Sequence, residues 1–218
     1  MIENISVESA LLDENLKKEL SGVFGKLTED IVLKAVIDMN TDKGKELAGF
    51  LAAVASLSPH IRLEAYSCEE DGAPELDRTY LPVTGIYKEG TYTGIAFHGV
   101  PGGKEINSFV IAIYNVAGPG QDVGFFLAKK IRKLEKKANL KICVSLACHH
   151  CPKVVAACQQ LAAMNENIEA EMIDANLYPE LVEKYKIERV PLVIVNDKDV
   201  YIGPKTLEEM VDIVKKIT

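Results

Sequence analysis

The segment Val144-Ser-Leu-Ala-Cys-His-His-Cys-Pro-Lys-Val-Val155 sets two cysteines three positions apart, with two histidines between them and a proline directly after. Three kinds of chemistry suit it. Cysteine and histidine are zinc ligands, but ligands packed into one helical turn rarely converge on one metal, and no second ligand pair stands at finger spacing. An inert pair is the second reading, since free cysteines are often core residues. The third is a redox centre. With two residues between them the thiols close a small ring within one turn. Unpaired backbone N–H groups and the helix dipole then stabilise the first sulfur as a thiolate. On this reading Cys148 attacks a substrate disulfide and Cys151 resolves the mixed disulfide. His149 and His150 push the potential upward from the thioredoxin-like end near roughly −270 mV.

The other candidate groups are quieter. Cys143 and Cys158 lie on apolar faces and read as core. Cys68 sits in a polar turn beside Glu69, Glu70 and Asp71, whose charges oppose its ionisation. His60 and His98 stand alone on strand-like segments as hydrogen-bonded structural histidines. Gly99-Val-Pro-Gly-Gly103 lacks the Lys-Ser/Thr ending of a phosphate loop, and no Gly-x-Gly-x-x-Gly follows a strand, so the sequence offers no place for FAD or NAD(P)H.

The elements that must hold the dithiol follow from periodicity. In the first half a helix is expected over 8–24, a strand over Asp30–Asp38, a helix over Asp42–Leu57 and a strand over His60–Tyr66. A hairpin pairs Leu81–Tyr87 with Thr91–Phe97, and a helix runs from Gly102-Gly103 to Ala117. After the breaker Gly118-Pro-Gly120 the pattern restarts. A helix over 122–138 leads to the strand Leu140–Leu146 and a helix from Cys148. The strand Ile168–Asp174 and a helix ending near Tyr185 come next. Val190–Asn196, Val200–Ile202 and a last helix from Lys205 complete the order.

The two halves thus repeat one order, with Pro82 and Pro191 heading the same slot. Parallel β-α-β pairing plus an antiparallel hairpin gives a mixed four-stranded sheet flanked by helices, present twice. The expectation is α/β: two tandem thioredoxin folds, residues 1–118 without a dithiol and residues 119–218 with it. Pro191 then heads a strand beside the dithiol. A cis Val190–Pro191 bond would set backbone against the sulfurs, where a partner's extended chain pairs. His149, His150, Val190 and Pro191 are therefore the expected substrate-binding residues, and no metal site is expected.

Composition excludes several classes. A formal net charge of −7 argues against a nucleic-acid surface. The basic run Lys129–Lys137 carries apolar residues at helical spacing and reads as a solvated helix face. No window approaches the ~18 apolar residues that cross a bilayer. The acidic, amphipathic N-terminus lacks the features of a secretory signal, so a cytoplasmic protein is expected.

The duplicated arrangement, Ser145-Leu-Ala-Cys-His-His-Cys-Pro-Lys-Val-Val155, Val190-Pro-Leu-Val-Ile-Val-Asn196 and Gly94-Ile-Ala-Phe-His-Gly-Val-Pro-Gly-Gly-Lys-Glu105 together resemble the N-terminal domain of the F component of alkyl hydroperoxide reductase, or a stand-alone glutaredoxin- or thioredoxin-like relative of it. The resemblance covers nearly the whole chain. It implies an electron shuttle from a thioredoxin-reductase-like flavoprotein to a peroxiredoxin-type protein disulfide in peroxide detoxification. It also implies Cys148 as attacking sulfur, Cys151 as resolving sulfur, and Glu105 as proton acceptor near them. The family continues into FAD and NADH domains, whereas this chain stops at Thr218. FAD and NAD(P)H are therefore expected on a separate or missing reductase part. The enzyme rival is a general protein disulfide oxidoreductase, which usually carries a dithiol in each half; Met39–Lys43 has none. A zinc-binding interaction module is the rival from another class.

Overall fold

Eight short β-rich segments, four in each half, form one sheet rather than two. The structure, a computed structural model, describes residues 1–217. The strands are β1 (Ile31–Val36), β2 (Ile61–Tyr66), β3 (Val83–Lys88), β4 (Thr91–His98), β5 (Ala138–Val144), β6 (Ile168–Asp174), β7 (Leu192–Val195) and β8 (Asp199–Ile202). Their spatial order is β2-β1-β3-β4-β6-β5-β7-β8. In each half the first two strands pair in parallel, and the first also pairs antiparallel with the leading strand of the hairpin. The expected four-stranded sheets are the two halves of this one sheet, joined where β4 pairs parallel to β6 from Ile95↔Ala170 to His98↔Ile173. Gly94 opens that seam: its φ of +77° suits glycine, and a side chain there would run into the Ile168 carbonyl.

The duplication extends to backbone bonding. Leu81–Pro82 and Val190–Pro191 are both cis. Gly99 N–H donates to the Pro82 carbonyl at 2.8 Å, and Gly203 N–H donates to the Pro191 carbonyl at 2.9 Å. Each half therefore closes its hairpin onto the proline that heads it.

Among the described residues seven α-helices cover the sheet: α1 (Glu14–Phe24), α2 (Asp42–Ala55), α3 (Ile106–Ala117), α4 (Phe125–Arg132), α5 (Cys151–Met164), α6 (Pro179–Tyr185) and α7 (Leu207–Lys215). Local chemistry fixes their starts. Asp13 and Thr41 cap α1 and α2 with side-chain oxygens, and Thr206 with Glu209 forms a capping box on α7. The apolar sides of the helices bury one continuous core through both halves, from Phe24 and Phe50 to Val154, Leu161 and Met210. At its centre Phe109 lies 5.4 Å from Phe50 and 5.0 Å from Phe97 between ring centroids. These tilted contacts are the favoured aromatic geometry.

Several boundaries depart from expectation, each for a visible reason. The first helix begins at Glu14 instead of residue 8 because the segment before it is irregular, with a turn in which Leu12 N–H donates to the Ser9 carbonyl, and packs along the first half. Ile2 N–H bonds the Ala65 carbonyl at 2.7 Å, and the Glu8 carbonyl sits where a side chain on Gly49 would clash. The helix expected over 122–138 stops at Arg132. The Asn165 amide takes the carbonyls of Ile131 and Leu134 at 2.7 and 2.9 Å, after which Ala138 enters β5. The strand expected over Leu140–Leu146 accordingly spans Ala138–Val144. The helix expected from Cys148 starts at Cys151, since Cys148 N–H closes a turn onto the Ser145 carbonyl at 2.9 Å. Residue 218, the end of the expected second fold, lies outside the described residues. Among those described, no helix is long and apolar enough to cross a membrane.

Candidate functional site

The dithiol lies at the end of β5, in the turn that leads into α5. Cys148 and Cys151 are joined as a disulfide with Cα atoms 5.5 Å apart. Their surroundings are unequal: Cys148 is half-exposed, whereas Cys151 is fully buried in the core beside Val154 and Val155. The backbone N–H of Cys151, unpaired within the helix because it opens α5, donates to Cys148 Sγ at 3.1 Å. A thiolate on Cys148 would therefore meet a donor and the positive end of a 14-residue helix. Pro152 occupies the early helical position that tolerates its missing N–H.

His149 and His150 are both exposed, and His150 is the residue that precedes the first helical position of α5. Neither donates or accepts a capping bond. Val190 is half-buried and Pro191 buried. Because Cys143 pairs with Leu192, the register sets Pro191 abreast of Val144, from which the chain runs into the dithiol turn. The expected cis bond and its placement beside that turn are therefore both present.

Glu105 reaches the region from the other half of the sheet. It closes a 3-10 turn, Gly103–Glu105, that packs against α5. Lys104 N–H donates to the Leu146 carbonyl at 2.9 Å, two residues before Cys148. Gly103 makes this approach possible: its φ is +54°, and an added Cβ would sit 2.6 Å from the Leu146 oxygen. The Glu105 side chain is wholly buried. Its Oε2 accepts from the Ser108 hydroxyl, and its Oε1 has no partner. Burial pushes this carboxyl up to about 7; the Ser108 hydroxyl opposes the rise and the nearby Asp174 charge adds to it.

Ser108 and Asp174 were not singled out by sequence. Ser108 had a weak signal, one turn after Glu105 on a mostly apolar helix. Asp174 ends β6, is buried, and accepts from the Asn176 N–H and amide; that amide also bonds Ser145 Oγ at 3.3 Å, in the dithiol turn. Burial raises the Asp174 carboxyl, with Asn176 and Lys43 pulling against the shift.

The remaining thiols and histidines stay outside this site. Cys143 and Cys158 are fully buried, and burial pushes Cys143 up to about 12 and Cys158 higher still. Cys68 is half-buried, and its thiol is raised first by burial and then by the Asp38 carboxylate. Of the acidic run beside it, Glu69 adds to the rise, by less than burial or Asp38 does, and Arg78 opposes it. His98 is wholly buried between the Tyr80 carbonyl at 2.7 Å and Glu171 at 2.8 Å. His60 bonds Asp30 at 2.7 Å. Among the described residues no three His, Cys, Asp or Glu side chains gather as a metal-binding group.

The chain matches known proteins along the same lines. The thioredoxin-domain family model matches residues 138–215, the half with the dithiol. The crystal structure of the N-terminal domain of the alkylhydroperoxide reductase AhpF from Enterococcus faecalis superposes with a TM-score of 0.88 at 39% identity, covering 93% of this chain and 99% of that one. The NADH dehydrogenase of Bacillus subtilis is 33% identical over 200 residues, and the F component of alkyl hydroperoxide reductase of Staphylococcus aureus is 30% identical over 200 residues. Each of these alignments takes in 92% of this chain but 37% of the relative, so the chain spans little more than a third of their length. Similarity across almost the whole of a solved N-terminal domain, dithiol half and silent half together, is decisive: the chain belongs to the family of the N-terminal domain of the F component of alkyl hydroperoxide reductase.

Proposed function

We propose that the chain is a thiol–disulfide oxidoreductase that takes electrons from a thioredoxin-reductase-like flavoprotein and passes them to the disulfide of a peroxiredoxin-type protein, as part of peroxide detoxification. The observation that carries this reading is the asymmetry of the pair. Cys148 is half-exposed with a backbone donor on its sulfur, while Cys151 is buried behind it.

The steps follow from that asymmetry. The Cys148 thiolate attacks one sulfur of the substrate disulfide, forming a mixed disulfide and releasing the other sulfur as a thiolate. Cys151 then loses its proton and attacks Cys148 Sγ. The second substrate thiolate leaves, and two electrons have passed to the substrate as the Cys148–Cys151 disulfide forms. Glu105 is the proposed acceptor of the Cys151 proton: a carboxyl raised to about 7 is matched to proton transfer near neutral pH. Val190 and Pro191 offer backbone to an extended substrate segment, and His149 and His150 border it. Residues 1–118 form the fold that supplies Glu105, and residues 119–218 the fold that carries the dithiol. FAD and NAD(P)H belong to the reductase that reloads the pair.

The test measures the rate at which the reduced chain, Cys148→Ser and Cys151→Ser reduce an oxidised peroxiredoxin, with insulin for comparison. Fast transfer to peroxiredoxin is expected, abolished in Cys148→Ser and halted as a mixed disulfide in Cys151→Ser. Good insulin reduction with poor peroxiredoxin reduction would replace this reading with a general disulfide oxidoreductase. Inactivity toward both, with one zinc held per chain and lost on changing Cys148, would replace it with a metal-binding module.

A further inference from the structure

Helix α4 presents a surface that neither the core nor the redox steps use. Phe125 and Phe126 are 76% and 81% exposed, edge to face at 5.7 Å between centroids, although the same helix buries Ile131. Behind them the exposed cations Lys129, Lys130, Arg132, Lys133, Lys136 and Lys137 face only one carboxylate in the run, Glu135, in a chain whose formal net charge is −7. Among the described residues, Lys129, Lys130, Arg132 and Lys133 enter no ion pair. A merely solvated face has no need of two adjacent exposed aromatics. Paired aromatics rimmed by unpaired cations are the composition of a binding surface, with apolar anchors at the centre and steering charge around them.

A groove beside this surface approaches the dithiol turn. Val123 and Leu127, which flank the phenylalanine pair in sequence, line a cavity of about 580 Å³ whose far wall includes His150, Pro152 and Lys153. Its walls thus run from Leu127 of α4 to the first turn of α5. A protein whose disulfide sat on Cys148 would lie across this groove. We infer that α4 docks an acidic, apolar-bearing segment of the protein whose disulfide Cys148 reduces, with Phe125 and Phe126 as anchors and Lys129, Lys130, Arg132 and Lys133 as the complementary charge, while the groove beside it, lined by Asp122, Glu208 and Glu209 as well as Lys153 and Lys205, takes the rest of that protein toward the dithiol turn. This deepens the proposed function and rests on it. A protein ligand is favoured over an anionic membrane because the groove leads to His150 and Pro152 beside the dithiol, where a bilayer has nothing to exchange.

The experiment compares the reduced chain with Phe125→Ser/Phe126→Ser and Lys129→Glu/Lys130→Glu, using an oxidised peroxiredoxin and, as a disulfide too small to dock, hydroxyethyl disulfide. Both variants are expected to lose about tenfold in kcat/KM toward the peroxiredoxin, through KM, while reducing hydroxyethyl disulfide at the unmodified rate. Rising salt should slow the unmodified chain toward peroxiredoxin and leave the charge-reversed variant nearly flat. Unchanged peroxiredoxin kinetics in both variants overturns the inference. The same result with binding to phosphatidylglycerol vesicles that both variants lose assigns the surface to a membrane instead. If the unmodified chain reduces neither disulfide, the redox reading fails by itself. Binding of oxidised peroxiredoxin to Cys148→Ser, followed by fluorescence anisotropy, then decides the docking: weakened by Phe125→Ser/Phe126→Ser it stands, and unaffected it falls.

Discussion

Lys104 donates its backbone N–H to the Leu146 carbonyl at 2.9 Å, which ties the turn ending in Glu105 to the loop ending in Cys148. These two segments come from different halves of the chain, and the bond sits where their shared sheet and core bring them together. The half without a dithiol thereby delivers a buried carboxyl to the same end of the sheet as the sulfurs. Lacking a thiol pair does not make the first half a spectator.

Gly103 makes that tie possible, so Gly103→Ala tests it. The change forces a side chain into a φ of +54° and sets a methyl 2.6 Å from the Leu146 oxygen. A loss of about 1–3 kcal/mol in urea unfolding is expected, together with slower dithiol exchange. Gly90→Ala is the control, since Gly90 has a φ of +78° in open space. It should lose about 1 kcal/mol and keep its exchange rate. Equal exchange rates in the two variants would show that the turn does not govern the dithiol loop.

Glu105 makes stability depend on pH with a definite sign. Its folded carboxyl titrates at about 7, above the usual value of 4.5. Between those values the folded state holds a proton that the unfolded state has lost. Its stabilising contribution is full below about 4.5, falls as pH rises through 7, and is gone above. Glu105→Gln removes the titration, so the variant should gain on the parent by about 2–3 kcal/mol between pH 5 and pH 8. Urea midpoints across that range check it. Parallel curves for the two proteins would place the titration elsewhere.

Much of this arrangement was legible in the sequence because its signals are local. Cys148-His-His-Cys-Pro152 marks the end of a strand and the start of a helix, and the matched slots of Pro82 and Pro191 disclose the duplication. What was not legible depends on partners distant in sequence. Nothing in Thr91–His98 says that it will lie against Ile168–Asp174 and fuse two sheets, since a buried strand reads the same beside any neighbour. The end of α4 is set by Asn165, more than thirty positions away, and the exposure of Phe125 and Phe126 is invisible to a hydrophobic pattern. Glu105 was reached through family resemblance; its burial and its unpartnered oxygen are properties of packing.

Four of the five cysteines should separate by reactivity in the reduced chain. Cys148 is half-exposed with a backbone donor on its sulfur, so alkylation by iodoacetamide at pH 7 should begin there. Cys143, buried and raised to about 12, would be thiolate in roughly one molecule in a hundred thousand, and Cys158 in fewer. Both should stay unlabelled until urea unfolds the chain, with Cys68 labelling slowly between these extremes. Mass mapping of labelled peptides over time checks the order, and early labelling at Cys68 would make it a reactive thiol after all.

The seam between the halves carries one buried ionisable pair, and its removal should be costly in a specific way. His98, on β4, holds the Tyr80 carbonyl through Nδ1 at 2.7 Å and Glu171, on β6, through Nε2 at 2.8 Å. Both partners are acceptors in the backbone carbonyl and carboxylate forms, so a proton must lie between Nε2 and the Glu171 oxygen. His98→Phe fills the space but strips the carboxyl of that partner, leaving it the Asn139 amide on its other oxygen. Breaking a buried pair from one side costs about 3–5 kcal/mol, because the remaining group stays out of water unpaired. Replacing both, His98→Phe with Glu171→Leu, removes the stranded carboxyl and should recover more than half of the loss. Urea unfolding of the single and double variants decides it. If the double variant is as unstable as the sum of the singles, the two residues act independently and the seam is held by its strands alone.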